Sequence, residues 1–276
     1  MAATTHSDPA SDADFGLFGP ESVTWRLHKE PVLLVGGLCA LMVQALHPLA
    51  IAAVADHSDY KDDVWGRYDR TTNYVVTTIY GTTRQALAVG ARVRAVHAPI
   101  RGTDAVTGLP YSADDPTLLL WIHTTLVDGF LGAYRRFVKP LAQDEADRYV
   151  SEMIRQAELV GLKAGEVPPT ERENSRFIES CRPMLQVSRH ALEAVDTVLR
   201  PPLATWKRPF WWVVGQASVS LLPDYARQLY GLPRRWSERA VRPMVRRGAL
   251  AARRRLEPPA VPQHARERAL AAGYRW

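Results

Sequence analysis

An uncharged apolar stretch of 25 residues, 31–55, constrains the fold more than any other feature of this sequence. It is long enough to cross a bilayer as a helix. However, Gln44, His47 and Pro48 lie in its middle, where hydrocarbon would leave polar groups without partners. We therefore favour a buried central helix of a large α-helical domain, kinked at Pro48, over a membrane span.

Helical patterns dominate the rest of the chain, and the only stretch rich in turn residues is a loop at 101–116. Capping residues and prolines place the helix ends. The predicted helices run from Asp62 or Asp63 to about Tyr80, from about Thr83 to His97, from Asp115 and Pro116 to near Pro140, and over 144–161, 184–199 and 223–230. Almost nothing alternates as a strand would. The expected fold class is all-α.

The net charge of +6 is unevenly distributed along the 276 residues. Residues 234–276 hold twelve arginines against three glutamates, whereas residues 1–233 are mildly acidic. We expect a disordered leader at 1–20, one helical domain at 21–233 and a basic helical tail at 234–276, broken at Pro243 and at Pro258-Pro259. Nucleic acid is an unlikely partner, because the basic charge is confined to the tail.

The tail has two interpretations. Its arginines alternate with Ala, Leu and Val, so it can form a basic amphipathic helix that contacts an anionic membrane peripherally. Alternatively, it is a solvated and partly disordered appendage. The leader contains acids and lacks the pattern of a signal peptide. The two cysteines, Cys39 and Cys181, form no metal or redox motif. These features favour a cytoplasmic protein.

Common catalytic motifs are absent from the sequence. There is no phosphate-binding loop, dinucleotide fingerprint, serine-nucleophile elbow or HExxH zinc motif. None of the eight histidines has a glutamate three residues before it, which excludes the usual di-iron helical bundle.

Three segments together carry a resemblance. They are QALHPLAIAAVADHS at 44–58, GRYDRTTNYVVTTIYG at 66–81, and VRAVHAPIRGT with YSADDPTLLLWIHTTLVDG within 93–129. In this order and spacing they resemble the family that contains the rubber oxygenases and the mpaB-type oxygenases. The resemblance implies a helical, globin-like core that can hold a b-type haem. His97 matches the proximal ligand of the haem iron, and a neutral imidazole suits that role.

The resemblance also implies a distal catalytic group of Arg67, Arg70 and Thr71, which occupy positions i, i+3 and i+4 of one helix. Tyr74 and Thr78 extend the same polar face. Rubber oxygenases carry lysine where this chain has Arg70. Guanidinium stays protonated and cannot ligate iron, so Arg70 is expected to hydrogen-bond an oxygen-derived ligand or a haem propionate. No acid here matches the catalytic base of rubber oxygenase.

The expected function is a haem-dependent oxygenase that uses dioxygen or peroxide on an apolar or prenyl-like substrate. His47 and His123 are further candidates for the cofactor pocket. Two alternatives stay open. One is a non-haem metal oxidoreductase with ligands from His47, His57, His97 and His123 and from Asp56 or Asp128. The other is a non-catalytic binding protein attached to membrane or nucleic acid by its basic tail.

Overall fold

The computed structural model describes residues 13–58, 61–232, 237–255 and 260–276, and this part of the chain is almost entirely helical. The all-α expectation is confirmed. The helices are α1 (Val23–His28), α2 (Leu33–Gln44), α3 (Pro48–His57), α4 (Val64–Tyr80), α5 (Thr83–His97), α6 (Pro116–Phe137), α7 (Gln143–Leu159), α8 (Glu171–Cys181), α9 (Arg189–Leu199), α10 (Arg208–Leu221), α11 (Asp224–Leu229), α12 (Ser237–Arg255) and α13 (Ala260–Ala271).

The apolar stretch forms two helices, and the expected kink is a complete break. α2 and α3 meet at 103°, because Pro48 begins α3 and holds His47 in an extended conformation. Most side chains of α2 are buried. Among the described residues no single helix is long and apolar enough to span a membrane. The bent α2–α3 pair meets that test by length and composition only.

The centre of the domain is the crossing of α2 and α6, where two glycines let the backbones touch. A Cβ added to Gly36 would lie 2.4 Å from the carbonyl oxygen of Gly129. A Cβ added to Gly129 would lie 2.6 Å from that of Gly36. Helix α6 also contacts α7, α8, α10 and α12. The position of α6 therefore orders most of the fold.

The predicted loop at 101–116 contains a short β-hairpin that sequence reasoning missed. Strand β1 (Arg101–Thr103) pairs antiparallel with β2 (Pro110–Ser112). Strands of three residues are too short to show alternation in the sequence. The hairpin rests on α3, where the hydroxyl of Tyr111 donates to the Asp56 carboxylate at 2.5 Å.

The described part of the basic tail belongs to the core, so it is not a solvated appendage. Val241 and Val245 of α12 are buried in the main hydrophobic cluster with residues of α6 and α10. α12 also runs through Pro243 without a break, because burial on either side of the proline compensates for the lost backbone hydrogen bond. The Pro258-Pro259 break lies outside the described residues.

The C-terminus and the end of the expected leader meet on α1. The ring of Trp276 lies 5.4 Å from that of buried Trp25, and Phe15 contacts both Trp25 and Tyr274. Asp14 accepts hydrogen bonds from the backbone and hydroxyl of Thr83. Residues 13–20 thus pack on the helical domain. The remainder of the leader lies outside the described residues.

We expect Gly129→Ala to lower the free energy of unfolding by about 1–3 kcal/mol, since the new methyl group collides with the α2 backbone. Gly132→Ala, on the same helix, is the matched control. A Cβ there meets nothing within 4 Å, so helix propensity should raise stability by up to about 1 kcal/mol. Urea unfolding measures both. Equal stability of the two variants would contradict the close helix crossing.

Val241→Asp should destabilise the whole domain by on the order of 3 kcal/mol or more, because it buries an unpaired charge in the core. Met244→Asp, on the exposed side of α12, should change stability by less than about 0.5 kcal/mol. Thermal unfolding of both variants distinguishes them. A small effect at both positions would mean that α12 is not part of the folding unit.

Candidate functional site

The α4–α5 hairpin brings two of the predicted site residues to one end of the domain. Gly81 and Thr82 alone separate the helices, and Thr82 with Gln85 forms a capping box that starts α5. So short a link makes the helices antiparallel neighbours. His97, the last residue of α5, therefore lies at the same end of the hairpin as Arg67 in the first turn of α4.

His97 has the properties of a histidine available to bind a ligand. Its ring is half-buried, and its Nδ1 atom is enclosed without a hydrogen-bond partner. Burial lowers the pKa of His97, while the nearby Asp114 carboxylate opposes that shift. The ring is therefore neutral near pH 7, which is the form that ligates metal ions.

Arg67, Arg70 and Thr71 share one side of α4, but they do not form a buried cluster in this structure. The guanidinium of Arg67 donates to the hydroxyl of Ser58 at the end of α3. Arg70 donates to Asp63 at 3.0 Å, and its side chain is 61% exposed. Thr71 is also exposed. Whether these three residues line the reaction site stays a prediction.

The other two members of this polar face point into the protein. Tyr74 is half-buried, and burial raises the pKa of its hydroxyl. Thr78 is fully buried and accepts a hydrogen bond of 2.7 Å from the Gln156 amide of α7. Thr78 thus joins α4 to α7, which is a structural role.

The middle of α4 is uncovered. Residues 69–73 are all exposed, and five consecutive helical residues point in every direction around the axis. Both ends of α4 are anchored, since Trp65 donates to the Pro202 carbonyl at 2.8 Å and Ile79 is buried in the core. The exposed stretch of α4 therefore lies between two anchored ends.

His123 is a buried, neutral histidine on α6. Burial lowers its pKa to about 4, and no described residue hydrogen-bonds to its ring. Ile122, its neighbour, is partly exposed. Asp128 lies five residues further along α6, about 140° around the helix, so it does not share a face with His123.

His47 also carries an enclosed Nδ1 without a partner. Its ring is almost fully buried and lies 5.9 Å from the ring of Trp121. The surroundings of His47 are therefore those of a packing residue at the start of α3.

The histidines proposed for a non-haem site are not brought together. His57 is exposed and contacts the Tyr111 ring, while Asp56 accepts the Tyr111 hydrogen bond. Over the described ranges no group of three or more His, Cys, Asp or Glu side chains is arranged to hold a metal ion. No observation in the structure supports the non-haem alternative.

One polar group near α6 was only partly foreseen. The Asp128 side chain is exposed at the surface of α6. The Asp128 charge acts on the Cys39 thiol and on the Tyr225 hydroxyl, whose oxygen is enclosed without a partner among the described residues. No sequence spacing could have shown this group, because its members come from α2, α6 and α11.

The neutral state of buried His123 predicts a pH dependence of stability. The unfolded chain takes up a proton at this histidine below about pH 6.5, whereas the folded chain does so only near pH 4. The free energy of unfolding should therefore fall as the pH decreases from about 6.5 towards 4. His123→Gln should weaken this fall, and the exposed His57→Gln should not. Urea unfolding at pH 7 and pH 5 measures the difference, and equal pH dependence of both variants would contradict the burial of His123.

A solved structure has the same overall fold. The structure of latex clearing protein LCP in the closed state superposes with a TM-score of 0.58 at 16% sequence identity, covering 91% of this chain and 72% of that chain. At this identity the likeness shows the fold alone. The search of curated protein sequences gave no significant match.

The family model gives the stronger result. The model described as ER-bound oxygenase mpaB/B'/Rubber oxygenase, catalytic domain, matches residues 25–254. This range includes α4, α5 and α6 and most of α12, so it extends past the expected domain boundary at residue 233. The chain therefore belongs to the mpaB and rubber oxygenase catalytic-domain family, and it is an oxygenase.

Proposed function

We propose that this oxygenase depends on a b-type haem and acts on an apolar, prenyl-like substrate with dioxygen or peroxide as the second substrate. The observation that carries the proposal is the neutral His97 ring, with its enclosed and unpartnered Nδ1 at the end of α5. A b-type haem needs one such histidine and no attachment cysteines. Both cysteines are free and buried, which is compatible with activity in the reducing cytoplasm.

We place the haem in a cleft beneath the uncovered stretch of α4. His97 would hold its iron, and the arginines Arg67 and Arg70 would be the cations for its propionates. When bound, the haem would supply the redox chemistry that activates dioxygen or peroxide. His123 would line the pocket as a neutral imidazole. We assign the ligand role to His97 rather than to His47, because the His47 ring is almost fully buried whereas that of His97 is half-buried.

The chain's own groups can position the reacting oxygen through hydrogen bonds and charge. Thr71 offers a hydroxyl that can donate a hydrogen bond, and Arg67 offers a fixed positive charge. Arg70 remains charged at every working pH, so it cannot ligate iron in place of the family's lysine. Its exposed pairing with Asp63 lets it turn towards the cleft at small cost, since an exposed ion pair contributes only about 0–1 kcal/mol.

We place the apolar substrate beneath the uncovered stretch of α4. The Ile122 side chain lies partly exposed on α6, and Leu126 is half-buried one turn further on. Apolar side chains left open to a cleft are typical of sites for apolar ligands. The polar groups of α4 at the same cleft would then restrict the chemistry to one end of the substrate.

The absorption spectrum of the full chain, expressed with a supply of haem, tests the proposal. We expect a Soret band and a pyridine haemochromogen of b type, and we expect His97→Ala to lose more than about nine-tenths of the bound haem, because the axial bond is removed. His57→Ala is the matched control, since His57 lies at the same end of the domain but is exposed.

Circular dichroism and thermal unfolding show whether the His97→Ala variant keeps its fold. Wild-type protein that contains no haem, and that takes up none on titration with haemin, would overturn the proposal. Equal haem content in wild type and His97→Ala would overturn the assignment of the ligand.

A further inference from the structure

The turn before α10 and the start of that helix form an exposed aromatic projection. Residues 204–210 are all exposed. Trp206 is 77% exposed and Phe210 is 63% exposed, which makes them the two most exposed large apolar side chains in the described part of the chain. Trp212, one turn into α10, is 51% exposed. We call residues 204–212 the aromatic tip.

The base of the aromatic tip is rigid. The indole of Trp211 points inward and donates to the Val198 carbonyl at 2.9 Å. The Trp65 indole donates to the Pro202 carbonyl, and its ring lies 5.5 Å from that of Trp211. The inward tryptophans are thus packed and hydrogen-bonded, whereas the indole N–H groups of Trp206 and Trp212 donate to no described residue. Exposure of the outer aromatics is therefore a property of a fixed structure.

The charges of the aromatic tip are all of one sign. Residues 201–212 read PPLATWKRPFWW and include Lys207 and Arg208 but no acid. The Lys207 ammonium lies 5.0 Å from the Trp206 ring centre. Tryptophan and phenylalanine next to lysine and arginine form the composition that binds the interface of a bilayer, where rings enter the acyl boundary and cations meet anionic headgroups.

We propose that the aromatic tip is a membrane-contact surface that inserts into the interface of a bilayer containing anionic lipid. The basic tail is a weaker candidate for this role, since Val241 and Val245 of α12 and Ala265 and Ala269 of α13 are buried in the core. A soluble-protein partner is also less favoured, because the tip's own charges are of one sign and offer no mixed polar rim.

The position of the aromatic tip assigns the membrane contact a role in substrate entry. Trp65 belongs to the first turn of α4, so the tip is joined directly to the helix under which we place the haem. An apolar substrate dissolved in the bilayer could pass along this junction to the cleft without crossing water. This connection rests on the proposed function, whereas the membrane contact itself does not.

Co-sedimentation of the full chain with phosphatidylcholine vesicles, with and without phosphatidylglycerol, tests the proposal. We expect binding to the mixed vesicles, and we expect Trp206→Ser with Phe210→Ser to weaken it by about tenfold or more, because two rings no longer leave water. Lys207→Glu with Arg208→Glu should abolish the preference for phosphatidylglycerol. Added salt should reduce that preference in the wild type.

Two matched controls locate the contact. Val106→Ser with Leu109→Ser removes apolar side chains that are 59% and 54% exposed elsewhere on the domain. Arg246→Ser with Arg247→Ser removes exposed charges of α12. Both control variants should bind vesicles as the wild type does, and all variants should keep their haem content.

Several results would overturn the proposal. These are no vesicle binding by the wild type, unchanged binding after loss of Trp206 and Phe210, or binding that is lost only with Arg246 and Arg247. A sedimentation-velocity shift from dimer to monomer in the aromatic variant, without vesicle binding by the wild type, would assign the tip to a second copy of the chain. If the protein binds vesicles but takes up no haem, the membrane-contact proposal stands and the proposed function is rejected.

Discussion

The close contact between α2 and α6 at Gly36 and Gly129 is the constraint on which the rest of the structure depends. Any side chain at either position would push the two backbones apart. Helix α6 contacts four other helices besides α2, so a shift there would propagate to most of the core. It would also displace His123 and Ile122, which lie on α6 within seven residues of Gly129. The packing centre and the position of His123 are therefore set by one helix.

The candidate site is built differently from the core. Helix α4 is anchored at its two ends and exposed between them, and Arg70 and Thr71 lie in the exposed part. The proposed function places a large planar group and an apolar substrate beside this stretch, where a closely packed helix pair would leave no space. The neutral state of His97 and His123 follows from their burial. The aromatic tip adjoins the same helix.

Much of the fold could be predicted from the sequence. The capping aspartate before Gly66, the Gly81-Thr82 break and the Asp115-Pro116 start placed α4, α5 and α6 correctly, because these signals act on the local backbone. The break at Pro48 was underestimated as a kink. The β1–β2 hairpin was not predicted because its strands are too short to show alternation. The burial of one face of α12 was not predicted because the many arginines of the tail indicated a solvated helix.

The sequence by itself determined the all-α class, the ends of the central helices and the family, since these depend on local spacing and on motifs read along the chain. The tertiary structure alone decided that Arg70 pairs with Asp63 at the surface and that His47 lies against Trp121. It also decided that Trp206 and Phe210 are exposed while Trp211 is buried. The physical reason is that burial and pairing depend on which side chains meet in space, and His47 and Trp121, for example, are 74 positions apart in the sequence.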